Sequence, residues 1–464
     1  MSVLRGRWRR AVPVMVTAGV LLTCAAPAAA VTPPRIDTGA LIRSAPVAPP
    51  EPTRQSHHCT TATSIRSYAK PGAAQAMMNF DELWRFGRGA GQRIAVIDTG
   101  VTPHPRLGRV IPGGDYVSDG VGLDDCDAHG TLVAGIIAAR PSSSDAFAGI
   151  APESTIIAIR QSSGAYEAAD RKRESRKPDV GSGFGTVRTL AHAIVRAVDL
   201  RATVINISQV ACAPDADKLN DPALGAAVRY AYDRNVVVVV AAGNVESNGA
   251  CRPQNQPPAA DDPSGWKSLS TIASPAWFAP YVLAVGSVDA STGTPLPSSL
   301  NGPWVSVAAP GNEIISLDSA RGSSSLVSAQ RTETGPIPLT GTSFATPYVA
   351  GTAALIRARY PQLSAREVMD RIIRTAHAPG TGHDQQIGYG VIDPVAALTA
   401  VLPPQRRDPN ASAPIAAPTV DPAPDHTARN VALAGVAVCA VVIAAVLALA
   451  FPHRRVKRLD PDDF

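Results

Sequence analysis

Between Arg93 and Ala242 the chain alternates two arrangements of apolar residues. Residues 93–98, 156–160, 204–208 and 236–242 are short, largely β-branched runs with few polar breaks, which is how strands buried on both faces read. Residues 186–200 and 223–234 lie between them, and there apolar positions recur every three or four residues, as on a one-sided helix. Strands that alternate with helices predict an α/β domain: a mostly parallel sheet between helical layers, with its site at the C-terminal ends of the strands. Further on, small residues from Gly341 to Gly351 open another apolar helix, and Ser364 with Glu367 forms a capping box for a helix ending at Thr375.

The two ends of the chain follow a different pattern. Arg5, Arg7, Arg9 and Arg10 precede an apolar run from Ala11 to Ala26 and then Ala28-Ala29-Ala30, so residues 1–30 read as a secretory signal cut before Val31. Residues 31–76 are rich in proline and without periodicity, and are expected to be an N-terminal extension. Residues 77–401 are expected to form the main α/β domain, followed by a Pro/Ala-rich linker over 402–429. From Val431 to Phe451 there are 21 uncharged residues, roughly 31 Å of helix at about 1.5 Å each, long enough to cross a bilayer core. A transmembrane helix is therefore expected over 430–451. Arg454, Arg455, Lys457 and Arg458 in the tail 452–464 put that tail in the cytoplasm and the rest outside the cell membrane.

Three polar positions stand at the ends of the apolar runs. Asp98 closes a strand and precedes a glycine turn, His129 precedes an apolar helix, and Ser343 sits where a helix begins. A serine becomes a nucleophile when a histidine takes its proton and a carboxylate holds that histidine in the right tautomer. A helix N-terminus in turn favours the oxyanion that results. Asn244 ends the strand 236–242 and can supply a second oxyanion donor beside the Ser343 N–H.

The order Asp98, His129, Ser343 is that of the subtilisins, and residues from about Met77 to Leu398 resemble the subtilisin-like serine proteases. Thr102 to Leu107, Gly114 to Val117, the stretch Asp124-Asp125-Cys126-Asp127-Ala128-His129-Gly130-Thr131-Leu132 and the apolar C-terminal run are similar to mycosins in particular. The resemblance implies a subtilisin-like three-layer fold, serine endopeptidase activity, and association with other membrane components of a type VII secretion system, with a homo-oligomer inside that complex as a further expectation. It implies an extension that wraps the protease and stays attached. In that family the segment after the strand near Ser208 lines the substrate, which nominates Ser208, Gln209 and Val210. The family's usual glycine is absent from this segment, which points to a narrower specificity.

Of six cysteines, Cys24 falls in the signal and Cys439 in the apolar C-terminal run. That leaves Cys59, Cys126, Cys212 and Cys251 in the exported region, where disulfides form. Three pairings are allowed. Cys59–Cys126 and Cys212–Cys251 are favoured, the first because it would staple the extension beside His129, the second because it would close the loop after Asn244.

The formal charge of +5 comes from the signal and the tail, which carry four and one net positive charges, so the ectodomain is near neutral and no nucleic-acid partner is expected. The basic run 171–177 reads as a solvated loop, and His57 and His58 as surface residues. No cofactor or metal is expected, and the partner the chemistry asks for is a protein or peptide substrate. The alternative function is a mainly structural subunit of the secretion complex with weak or blocked activity.

Overall fold

The structure is a computed structural model that describes residues 31–64, 68–170, 180, 183–245, 251–403 and 427–450. The signal 1–30, the basic run 171–177, most of the linker, Phe451 and the tail 452–464 lie outside the described residues.

Seven parallel strands form the central sheet: β1 (Arg93–Asp98), β2 (Ile111–Asp115), β3 (Thr155–Arg160), β4 (Val204–Ile207), β5 (Val237–Ala241), β6 (Leu283–Val288) and β7 (Val305–Pro310). Their order across the sheet is β7-β6-β5-β4-β1-β3-β2. The longer helices and the one before the linker are α1 (His129–Ala138), α2 (Val187–Asp199), α3 (Pro222–Asp233), α4 (Thr342–Arg359), α5 (Ala365–Thr375), α6 (Pro394–Thr399) and α7 (Thr427–Ala450). Alternate residues of each strand feed opposite cores. Ile94 and Val96 of β1 and Val237 and Val239 of β5 join Leu132, Ile136, Phe344 and Val349 of α1 and α4. Ala95, Ile97, Val238 and Val240 join Leu190, Ile194, Leu224 and Val228 of α2 and α3. Two buried faces explain why these strands read as unbroken apolar runs.

The extension is laid on this scaffold as added strands. Val31, Ile36 and Leu41 pack against the α2/α3 core, and the Asp37 carboxylate caps a short turn at Gly39. Thr53–Gln55 then pairs antiparallel with Tyr166–Ala168, and Ala62–Thr63 pairs with Ala329–Thr332. Between these two strand pairs a disulfide joins Cys59 to Cys126, three residues before His129, and a second joins Cys212 to Cys251. Through Leu402 the chain forms one compact unit.

The 67-residue loop closed by Cys59–Cys126 contributes about 4 kcal/mol in the loop-entropy account. Replacing both cysteines by serine is expected to lower unfolding stability by about that amount, which denaturant titration measures. An unchanged midpoint would mean that strand pairing alone holds the extension.

Residues 403–464 form a second unit, described by itself. Within it α7 spans 24 residues and begins with the polar turn Thr427-Ala428-Arg429-Asn430. Among the described residues no helix is long and apolar enough to cross a membrane. The membrane span expected over 430–451 is thus not shown.

Candidate active site

β1 delivers Asp98 to the C-terminal edge of the sheet, where its carboxylate is fully buried. Asp98 Oδ1 faces His129 Nδ1 at 2.7 Å. An ionised carboxylate only accepts, so Nδ1 carries the proton and Nε2 is left free as a base. The backbone N–H of Thr99 also donates to Oδ1, at 2.8 Å.

Behind this pair lies a second carboxylate. Asp125 Oδ1 accepts from the Thr99 hydroxyl at 2.8 Å, and Asp125 Oδ2 accepts from the Thr131 N–H and hydroxyl at 2.7 and 2.6 Å. Thr99 Oγ1 in turn accepts from the Gly130 N–H at 2.9 Å. Asp125 therefore caps α1, whose own cap residue, Ala128, lies in the left-handed region at φ 66° and offers no side chain for the purpose. Gly130 makes this approach possible: a Cβ there would stand 2.0 Å from the Gly100 carbonyl.

Burial pushes Asp125 up to about 6 against its hydrogen bonds to Thr131 and Thr99. Burial also lowers His129, but the Asp98 carboxylate at Nδ1, with Asp125 and Asp127 nearby, outweighs it and leaves the imidazole above the ordinary histidine value.

Ser343 is the second residue of α4. Pro347, four residues on, lacks the N–H that would close the first turn onto the Ser343 carbonyl. That carbonyl accepts instead from Ser208 Oγ at 2.8 Å, and Asn206 Nδ2 donates to the same hydroxyl at 2.9 Å. The turn that carries Ser343 is thus tied to the end of β4. Phe344 brings the turn against His129, ring centroid to ring centroid 5.3 Å. No hydrogen bond joins the Ser343 hydroxyl to His129 among the described residues; such contacts are often long until substrate draws them together.

Asn244 follows β5. Its Oδ1 accepts from the Thr342 N–H at 2.9 Å and the Thr342 hydroxyl at 3.1 Å, which aims the amide's NH2 end away from the helix. Gly341, at φ 137°, lets the chain pass this amide: a Cβ would lie 3.1 Å from Asn244 Nδ2.

The residues nominated for substrate contact divide. The Ser208 side chain is buried and engaged with Ser343, Gln209 reaches toward Asp98, and Val210 packs against the α2/α3 core. Asp125, Thr99, Thr131 and Asn206 were not singled out from the sequence. Asp125 lies three residues before the cap position Ala128, where capping rules look for no side chain, so nothing local in the sequence marks it.

A buried carboxylate on an imidazole, a serine at a helix start and an amide beside it, carried on a parallel three-layer α/β scaffold, define a subtilisin-like serine endopeptidase. Residues 89–390 match the family described as the subtilase family. Mycosin-4 of Mycobacterium tuberculosis is 46% identical over 431 residues, covering 91% of each chain. The crystal structure of MycP1 from Mycobacterium smegmatis aligns with a TM-score of 0.75 at 42% identity, over 80% of this chain and 96% of that one. A chain of the intact ESX-5 inner membrane complex aligns with a TM-score of 0.74 at 42% identity, over 90% of this chain and all of that one. This chain belongs to the mycosins, within the subtilase family.

Proposed function

We propose that Ser343, His129 and Asp98 perform acyl transfer on a peptide bond. Ser343 Oγ attacks the carbonyl carbon while His129 Nε2 takes its proton, and Asp98 holds the ring and stabilises the imidazolium. His129 then returns the proton to the leaving amine, and water, activated the same way, hydrolyses the ester. Asn244 Nδ2 and the Ser343 N–H bind the oxyanion in both steps. The 2.7 Å contact from His129 to Asp98, set against the first turn of α4, is the observation that carries this reading. Asn244→Ala is expected to lower kcat about 10²–10³-fold with little change in KM, a magnitude taken from a subtilisin itself. Steady-state kinetics on a peptide substrate would read it, and an unchanged kcat would remove Asn244 from the oxyanion site.

The reading extends to place. The relatives solved within the ESX-5 inner membrane complex support a protease of a type VII secretion system, working outside the membrane on secreted proteins and bracing the membrane complex. A single-pass anchor is part of the proposal. Leu433, Val436, Val438, Val441, Val442, Ile443, Val446 and Leu447 of α7 are all exposed, an apolar surface that lipid or membrane helices would cover. The proposed organisation is a signal over 1–30, an attached extension, the peptidase, a tether, the anchor and a cytoplasmic tail.

The test is labelling of the full-length membrane protein with a fluorophosphonate. Modification at Ser343 is expected. Folded wild-type protein that takes no label would turn the reading toward a bracing role with a blocked site.

A further inference from the structure

β4 lies between β5 and β1 in the sheet, so the residues that follow it emerge between Asn244 and Asp98. Ser208 turns toward the nucleophile's helix, as described above. Gln209 turns the other way. Its Nε2 lies 3.5 Å from Asp98 Oδ1, and its Oε1 accepts a short hydrogen bond from Ser162 Oγ, a hydroxyl buried just beyond β3. The orientation of the amide follows from its neighbours. A carboxylate only accepts, so the end facing Asp98 is the NH2 end, and the carbonyl end takes the Ser162 proton.

Three donors therefore meet at one oxygen of Asp98: the Thr99 N–H, the His129 Nδ1–H and the Gln209 amide. The other oxygen, Oδ2, is buried and has no hydrogen-bond partner among the described residues.

We propose that Gln209 is a positioning residue of the catalytic triad: clamped by Ser162, its amide holds Asp98 Oδ1 in register with His129 and tempers the charge the imidazole feels. This rests on the assignment of Asp98, His129 and Ser343 given above. It also changes the meaning of a glutamine in this segment. A side chain that sequence places along the substrate edge is engaged with the triad carboxylate.

The sign of the effect follows from the groups around His129. Asp98, Asp125 and Asp127 stabilise the imidazolium. Arg160, beside Asp98 in the β1–β3 register, turns its guanidinium to Asp115 and the Tyr166 ring. From α4 the uncharged Phe344 ring packs against it. Removing the Gln209 donor leaves Oδ1 with a stronger pull on the imidazolium, so His129 titrates at higher pH.

The experiment is the pH dependence of fluorophosphonate inactivation on the full-length protein, comparing wild type with Gln209→Leu, Gln209→Glu and Gln209→Asn, each checked for folding by thermal melting. Gln209→Leu is expected to slow labelling about tenfold and to move the acid limb up by about half a pH unit, the size of one hydrogen bond. Gln209→Glu replaces the donor by a second carboxylate against Asp98 and moves the limb further in the same direction, by about one unit. Gln209→Asn keeps the amide but falls one methylene short, so it shifts the limb in the same direction and serves if the other variants do not fold.

Wild-type acid limbs in all folded variants, whatever their rates, would overturn the proposal and leave the triad standing. A Ser343→Ala protein that labels equally well would take down the triad assignment and this proposal with it.

Discussion

Ser343→Ala is expected to lower turnover about 10⁶-fold, the loss recorded when a subtilisin loses its nucleophile, and to leave the melting temperature near that of the wild type. The chemical loss is large because the acyl intermediate cannot form, and what remains is catalysis by oxyanion stabilisation and substrate binding. The structural loss is small for a reason specific to this site. The Ser343 hydroxyl has no hydrogen-bond partner among the described residues, so its removal orphans no buried group. The contact that ties its turn to β4 uses the backbone carbonyl, which alanine retains. Peptide hydrolysis and thermal melting on the same preparation check both halves. Activity within tenfold of wild type would place the nucleophile elsewhere.

Asp98→Ala is expected to cost about 10⁴-fold in kcat. Its carboxylate does two separable things: it accepts the Nδ1 proton, which fixes the tautomer, and it holds His129 above the ordinary histidine value against a burial effect of opposite sign. With that charge gone burial is opposed only by the Asp125 and Asp127 carboxylates, so the residual activity should rise at a lower pH than in wild type. Asp98→Asn separates the two roles. The Thr99 N–H and the Gln209 amide both donate at Oδ1, so they steer the amide oxygen of asparagine to that position and preserve an acceptor for Nδ1. The asparagine variant should therefore retain more activity than the alanine variant while still showing the lowered acid limb. Equal losses in the two would mean that charge alone matters. Profiles of kcat against pH for the three proteins decide this.

The fold was legible in the sequence where local chemistry is decisive. Strands buried on both faces must be apolar throughout, and β1 and β5 read that way. Ser364 and Glu367 reach back to each other's backbone at the start of α5, and that box is written in four consecutive residues. β6 and β7 were not read, because alanine, glycine, serine and proline interrupt their apolar residues, Leu-Ala-Val-Gly-Ser-Val and Val-Ser-Val-Ala-Ala-Pro. These strands are fixed by parallel pairing with each other and with β5, through backbone groups that every residue carries.

The site divides along the same line. Sequence by itself determined that Asp98, His129, Asn244 and Ser343 stand at the ends of buried elements, since each borders an apolar run that has to be covered. Which of them meet was decided by sheet order, which puts β4 between β5 and β1 and so sends Ser208 to the nucleophile's turn and Gln209 to the triad carboxylate. The attachment of the extension was decided in the same way. Its short strands pair by main-chain hydrogen bonds with Tyr166–Ala168 and with Ala329 and Gln330, in registers such as Arg54 with Glu167 and Thr63 with Ala329, 113 and 266 positions apart in the chain. Backbone hydrogen bonds carry no side-chain identity, so proximity of this kind is settled only when the whole chain packs.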